Sequence, residues 1–127
     1  MGLGETSYNT LDISSKSRAA THDTGPVYGG YSHSANSDWN TVSVTNRYVT
    51  DGINGGYIDT RTTGTSTSHN SVVIDNSKVR TARGGFNQNY STGSGTKADG
   101  NTVTLKNGSF ATSVIGGTAE FASGNTV

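Results

Sequence analysis

Cysteine is absent from this 127-residue chain, so no disulfide framework and no thiol chemistry can be built from it. Charge of either sign is scarce. Nine basic and nine acidic residues cancel to a formal net charge of zero, which removes the electrostatic reason to expect nucleic acid or an anionic membrane as partner. Long apolar runs are missing too: nothing approaches the roughly 20 residues of a spanning helix, so membrane insertion of this segment is not expected. Met1-Gly2-Leu3-Gly4-Glu5 has neither the basic start nor the apolar stretch of a signal peptide. Only 29% of the residues are hydrophobic, while Gly, Ser, Thr and Asn make up more than half of the chain. Such a composition invites disorder, because backbone ordering costs roughly 1–2 kcal/mol per residue.

Placement argues the other way. Asn9-Thr10-Leu11-Asp12-Ile13, Asn40-Thr41-Val42-Ser43-Val44, Asn70-Ser71-Val72-Val73-Ile74 and Asn101-Thr102-Val103-Thr104-Leu105 are four versions of one phrase, and Asn125-Thr126-Val127 begins a fifth. Their starts fall at intervals of 31, 30, 31 and 24 residues. Near-constant spacing of this size marks a repeat architecture. Within each phrase the polarity alternates, which puts Leu11, Ile13, Val42, Val44, Val72, Ile74, Val103 and Leu105 on the inner side of a strand, together with the leading asparagines.

Each later phrase is followed by a turn asparagine, at Asn46, Asn76 and Asn107, with Ser15 in that place in the first copy. Asparagine tolerates the left-handed conformation that sharp turns demand. Three residues on stand Val49, Val79 and Phe110, expected to face inward, and then a glycine pair: Gly29-Gly30, Gly55-Gly56, Gly84-Gly85 and Gly116-Gly117. The stretch from leading Asn to glycine pair is nearly constant in the later copies. The stretch from glycine pair to next Asn is not: 31–39, 57–69, 86–100 and 118–124 hold 9, 13, 15 and 7 residues. Fixed stretches read as scaffold and variable ones as loops. The first copy is atypical, with Arg18 standing where Val49 and Val79 stand later.

Helices do not suit this Gly-, Thr-, Asn- and Val-rich, period-two pattern, and short hairpins do not suit intervals of about 30 residues. The expected fold is all-β: one right-handed parallel β-helix (β-solenoid) domain over residues 1–127, of about four coils beginning near Asn9, Asn40, Asn70 and Asn101, with a partial coil from Asn125. Stacking would align the asparagines into a column of mutually bonded amides.

The phrases "NTVTLKNGSF…VIGG", "NTVSV" and "VYGGYS" resemble the degenerate repeats of bacterial autotransporter passenger domains. The resemblance implies a non-enzymatic extracellular stalk or adhesin at a bacterial cell surface, binding a surface protein or glycan of a host or neighbouring cell. The sequence departs from that family in lacking a signal peptide and a membrane barrel.

No catalytic constellation stands out. Asp12 lies on an outward strand position, but Ser43, Val73 and Thr104 replace it in later copies, so no carboxylate pair forms for glycosidase chemistry or calcium. His22, His33 and His69 lack a metal-ligand spacing, and no cofactor is expected. "GSGTKADG" lacks the Gly-Lys-Ser/Thr of a phosphate loop and reads as a flexible loop.

Candidate contact residues are aromatic. Tyr31, Tyr57 and Phe86 follow successive glycine pairs and would stack into a stripe, either a binding stripe or a cover over glycine backbone. Trp39 and Tyr90 lie further into the loops. Three other readings stay open. One is a subunit stacking head to tail into a fibre, since Asn125-Thr126-Val127 stops mid-strand. The others are a carbohydrate-active enzyme and an ice-contacting face made of outward threonines.

Overall fold

Alternation of Thr or Ser with Val, Ile or Leu makes each phrase a half-buried strand, and the glycine-pair segments make a second strand per repeat. The computed structural model describes residues 5–15 and 25–127; Arg18 and His22, singled out above, lie outside them. Eight strands follow in chain order: β1 (Thr10–Ser14), β2 (Val27–Ser32), β3 (Thr41–Thr45), β4 (Tyr48–Ile58), β5 (Ser71–Asp75), β6 (Lys78–Asn87), β7 (Thr102–Lys106) and β8 (Phe110–Thr118). Odd strands stack as one sheet, β1-β3-β5-β7, and even strands as another, β2-β4-β6-β8. All six pairings are parallel, with Thr10 over Thr41, Thr41 over Ser71 and Ser71 over Thr102. The chain is therefore a β-solenoid of about three full turns, each of about 30 residues.

A third face closes the coil. Backbone N–H groups of Thr6, Ser37, Thr67 and Ala98 donate to carbonyls of Asn36, Ser66, Lys97 and Phe121, one turn on, at 2.9–3.0 Å. Ser37, Thr67 and Ala98 point inward and are fully buried. The fixed part of the repeat thus begins three residues before each leading asparagine, within what the sequence presents as loop.

Between the sheets lie Val42, Val44, Val49, Ile53, Val72, Ile74, Val79, Ala82 and Val103, all buried. Phe110 does not join them and is 55% exposed. Counting three residues from each turn asparagine places it with Val49 and Val79, but Gly108 adds a residue to that turn. Ser109 takes the place of Ser77, accepting the Ser77 N–H at 3.1 Å, so Phe110 pairs with Lys78 and Ala111 with Val79. The turn asparagines adopt the expected left-handed backbone, with φ of 58° at Asn46, 45° at Asn76 and 54° at Asn107.

The leading asparagines form a continuous ladder. The side-chain amides of Asn9, Asn40, Asn70 and Asn101 donate to the side-chain oxygens of Asn40, Asn70, Asn101 and Asn125 at 2.9, 3.0, 3.1 and 3.0 Å. The same four oxygens accept the backbone N–H of the preceding asparagine. Asn70 Nδ2 makes a further bond to the Ser37 carbonyl, so a buried amide uses its whole capacity. The glycine pairs make the room: a Cβ on Gly56 would lie 2.6 Å from Asn70 Nδ2 and 2.2 Å from the Ser37 oxygen.

Asn70→Ala removes the acceptor for two buried donors of Asn40 and leaves a gap. A loss of about 2–4 kcal/mol is expected, whereas Asn125→Ala, at a half-buried rung, is expected to cost clearly less. Denaturant melts of the two variants check this, and equal losses would remove the ladder from its central place.

Candidate partner-binding surface

Tyr31, Tyr57 and Phe86 stand in register on β2, β4 and β6. Successive ring centroids are 5.5 and 5.2 Å apart, with planes 13° and 18° from parallel. Stacked rings of this kind turn their faces to one another and their edges outward. The remaining flanks are also occupied. Tyr28, which the motif reading passed over, meets Tyr31 edge-on at 4.9 Å and Tyr57 at 5.0 Å, and the Arg83 guanidinium lies 5.2 Å from the Phe86 centroid. A sugar ring stacks on an open aromatic face, so this stripe offers it little; it holds successive coils together.

Phenol chemistry at the stripe follows from its neighbours. Tyr31 donates to Asp59 Oδ2 at 2.5 Å, and Asp59 Oδ1 lies 3.0 Å from His33 Nδ1, too poorly aligned for a hydrogen bond. The hydrogen bond to Asp59, followed by burial and the carboxylate charge, holds the Tyr31 phenol protonated, its pKa pushed up to about 12. Burial first, then neighbouring Tyr57 and Asp51, raises that of Tyr28.

Trp39 lies outside the strands, at a bend between β2 and β3. It occupies the corner immediately before Asn40, and a second column runs through the equivalent positions Tyr8, Trp39, His69, Gly100 and Gly124. All five have left-handed backbone, with φ of 62°, 59°, 57°, 62° and 61°. Trp39 is nearly parallel to Tyr8, with centroids 6.3 Å apart, and stacks on His69 at 4.2 Å. The His69 ring in turn covers Gly100, where an added Cβ would come within 2.8 Å of Nδ1. Tyr8 and Trp39 remain 75% and 51% exposed. The glycines at Gly100 and Gly124 are the signal in the sequence that marks this position as left-handed.

One position earlier, Ser7, Asp38, Ser68, Asp99 and Ser123 form a further column. Each of the first four side chains accepts the backbone N–H of the next member, at 3.0, 2.6, 2.9 and 2.9 Å. The four connections at 33–36, 59–66, 88–97 and 119–121 therefore all leave and re-enter the coil along one edge. Tyr90 sits in the third of them, 57% exposed.

These connections are laced together rather than loose. Asn89 Nδ2 donates to the carbonyls of Arg61 and Thr62, and Gly64 N–H to the Ser94 carbonyl. In the segment read as a flexible loop, Gly93 and Gly95 each donate a backbone N–H to the Glu120 carboxylate at 2.5 Å. Those two bonds lower the Glu120 pKa. Nothing converges for metal binding: no group of three or more His, Asp or Glu side chains is placed to hold an ion among the described residues. On the outward face of the odd strands one column runs Thr10, Thr41, Ser71, Thr102 and Thr126, while its neighbour, Asp12, Ser43, Val73 and Thr104, carries four different side chains, so threonine repeats along one column and not across both.

Two measurements test this surface. Trp39→Ala keeps a left-handed L-residue and loses the ring stack, whereas Trp39→Gly loses the stack but relieves the backbone. The alanine variant is expected to be less stable than the glycine variant by roughly 1 kcal/mol; the reverse order in denaturant melts would reject the account. For Glu120, a lowered folded-state pKa means that its contribution is complete above the ordinary carboxylate range and lost as pH falls through the folded value. Amide exchange at Gly93 and Gly95, corrected for intrinsic rates, should rise on acidification, and Glu120→Gln should show the fast rates at every pH.

No protein-family model, curated protein or solved structure matches this chain, and what the surface can do follows from its own residues.

Proposed function

We propose that the chain is a non-enzymatic segment of an extracellular stalk or adhesin, with a β-solenoid rod as scaffold and contacts made by the connections along one edge. The observation that carries this reading is the contrast between the two parts of each coil. Among the described residues the strands of successive coils pair in register, while the connections at 33–36, 59–66, 88–97 and 119–121 differ in length and composition and share one side of the rod. A fixed framework with variable segments on one edge suits recognition, because loops carry function while a rigid scaffold positions them. The exposed side chains of Arg61 and Tyr90 lie on that edge. The expected partner is a protein or glycan on a host or neighbouring cell, and the surface location rests on the resemblance of the repeats to autotransporter passengers.

End-to-end stacking of copies is a second reading, favoured by one observation. An apolar groove of about 380 Å³ lined by Val103, Leu105, Val114 and Val127 opens beside the last strand, and a parallel coil has unlike ends that pair heterologously. Sedimentation of the 127-residue chain against concentration separates the two: a discrete monomer removes the fibre.

Replacing all four connections with short Gly-Ser segments tests the leading reading. The rod should keep its β-sheet circular dichroism and lose binding to cells and to a glycan array. Retained binding with the connections gone would exclude them as the contact surface.

A further inference from the structure

The second sheet carries on its outward side a patch that the coil does not require. Val49, Val79 and Ala111 point inward from β4, β6 and β8, so their neighbours on either side point out. One outward column is Tyr48, Lys78 and Phe110; the other is Thr50, Arg80 and Thr112. Both cations therefore stand on the middle strand, β6, flanked on one column by rings and on the other by hydroxyls.

Lys78 Nζ lies 4.9 Å from the Tyr48 centroid and 5.8 Å from that of Phe110. This contact places the ammonium without neutralising it. Arg80 lies two residues along the same face, at about 7 Å by strand geometry. Neither cation forms an ion pair among the described residues. Asp75, the acid nearest in sequence, pairs with Lys106 at 3.5 Å, and Asp51, in the irregular stretch of β4, accepts the N–H of Gly52. Cations are often placed on edge strands to block pairing, but β6 is an interior strand and needs no such guard. The register of β4 against β6 shifts between Val49 and Gly52, and an extra residue there bends the strand. Beside it runs a shallow groove of about 200 Å³, lined by both cations with Tyr48, Thr50 and Thr112.

From this arrangement we infer that the groove binds an acidic polysaccharide. Arg80 presents the planar fork that pairs with a carboxylate or sulfate, and Lys78 adds a second positive charge held in place by its rings. Thr112 offers a hydroxyl to sugar hydroxyls, and the half-exposed Phe110 offers apolar surface. An open groove lined this way suits an extended chain better than a small molecule enclosed in a pocket. The site lies on the sheet face, not on the connections, so it stands or falls independently of the loop reading.

Calorimetric titration of the intact chain with polygalacturonate and with dextran sulfate tests the inference, with neutral dextran and polyglutamate as comparison arms. Binding of at least one acidic polysaccharide is expected, weakening as salt is raised. The double variant Lys78→Gln/Arg80→Gln should lose at least tenfold in affinity while keeping its melting temperature, since both side chains are exposed. Arg80→Lys should recover only part of that loss, and the rod with replaced connections should bind as before. Absence of binding to both acidic polysaccharides would overturn the inference. So would neutral dextran or polyglutamate binding as tightly, or a double variant that binds like the parent.

Discussion

A buried asparagine amide that reaches from one coil to the next is the contact on which the rest of the fold depends. Its oxygen accepts two donors from the preceding coil, and its nitrogen gives to the following one. An apolar side chain could fill the same space, but it would accept neighbouring coils in more than one offset. The amide accepts only one, because any slip leaves buried donors without partners. The glycine pairs belong to the same constraint. They stand opposite the ladder in every coil, and a methyl group at Gly55 would lie 2.7 Å from Asn70 Cβ and 2.4 Å from the Gly84 oxygen. With register settled by polar groups, a core of a few Val, Ile and Ala residues per coil suffices in a chain that is only 29% hydrophobic.

Much of this was legible because the repeat compares the sequence with itself. The inward Val and Ile columns, the asparagine ladder, the left-handed turn asparagines and the register of Tyr31, Tyr57 and Phe86 all follow from positions that recur with similar chemistry. The misreadings arise where spacing or chemistry changes between copies. Phe110 was misplaced by a single inserted glycine, which shifts side-chain direction by one residue and so moves a ring from inside to outside. The column through Tyr8, Trp39 and His69 was missed because aromatic residues seldom adopt positive φ, and the corner is announced only by Gly100 and Gly124 in the later copies. The segment around Gly93 and Gly95 looked flexible because the carboxylate that orders it, Glu120, lies on the next coil.

Function was less legible than fold for a related reason. In a stacked coil most conspicuous side chains serve the stack. The aromatic stripe has the residues of a sugar platform but has its ring faces turned to one another. The side chains left over by stacking, such as Arg61 and Tyr90 on the connections and Arg80 on the sheet, are those the repeat pattern does not explain. Tyr90 was visible as an aromatic residue in a variable stretch, but Arg61 and Arg80 are exceptions to periodicity and hard to see in a reading built on it. Lys78 belongs with them, since it is exposed and its ammonium lies near two rings on neighbouring strands without an ion pair among the described residues.

The column Ser7, Asp38, Ser68, Asp99 and Ser123 alternates charge with no charge from coil to coil. Neighbouring coils are about 4.8 Å apart, so the two carboxylates sit about two such steps apart, beyond the screening length of roughly 8 Å in physiological salt. Excising the single repeat that contains Ser68 would set Asp38 directly beneath Asp99. Adding or removing repeats two at a time would preserve the alternation. Growth and shortening of this rod in evolution should therefore proceed most easily in pairs.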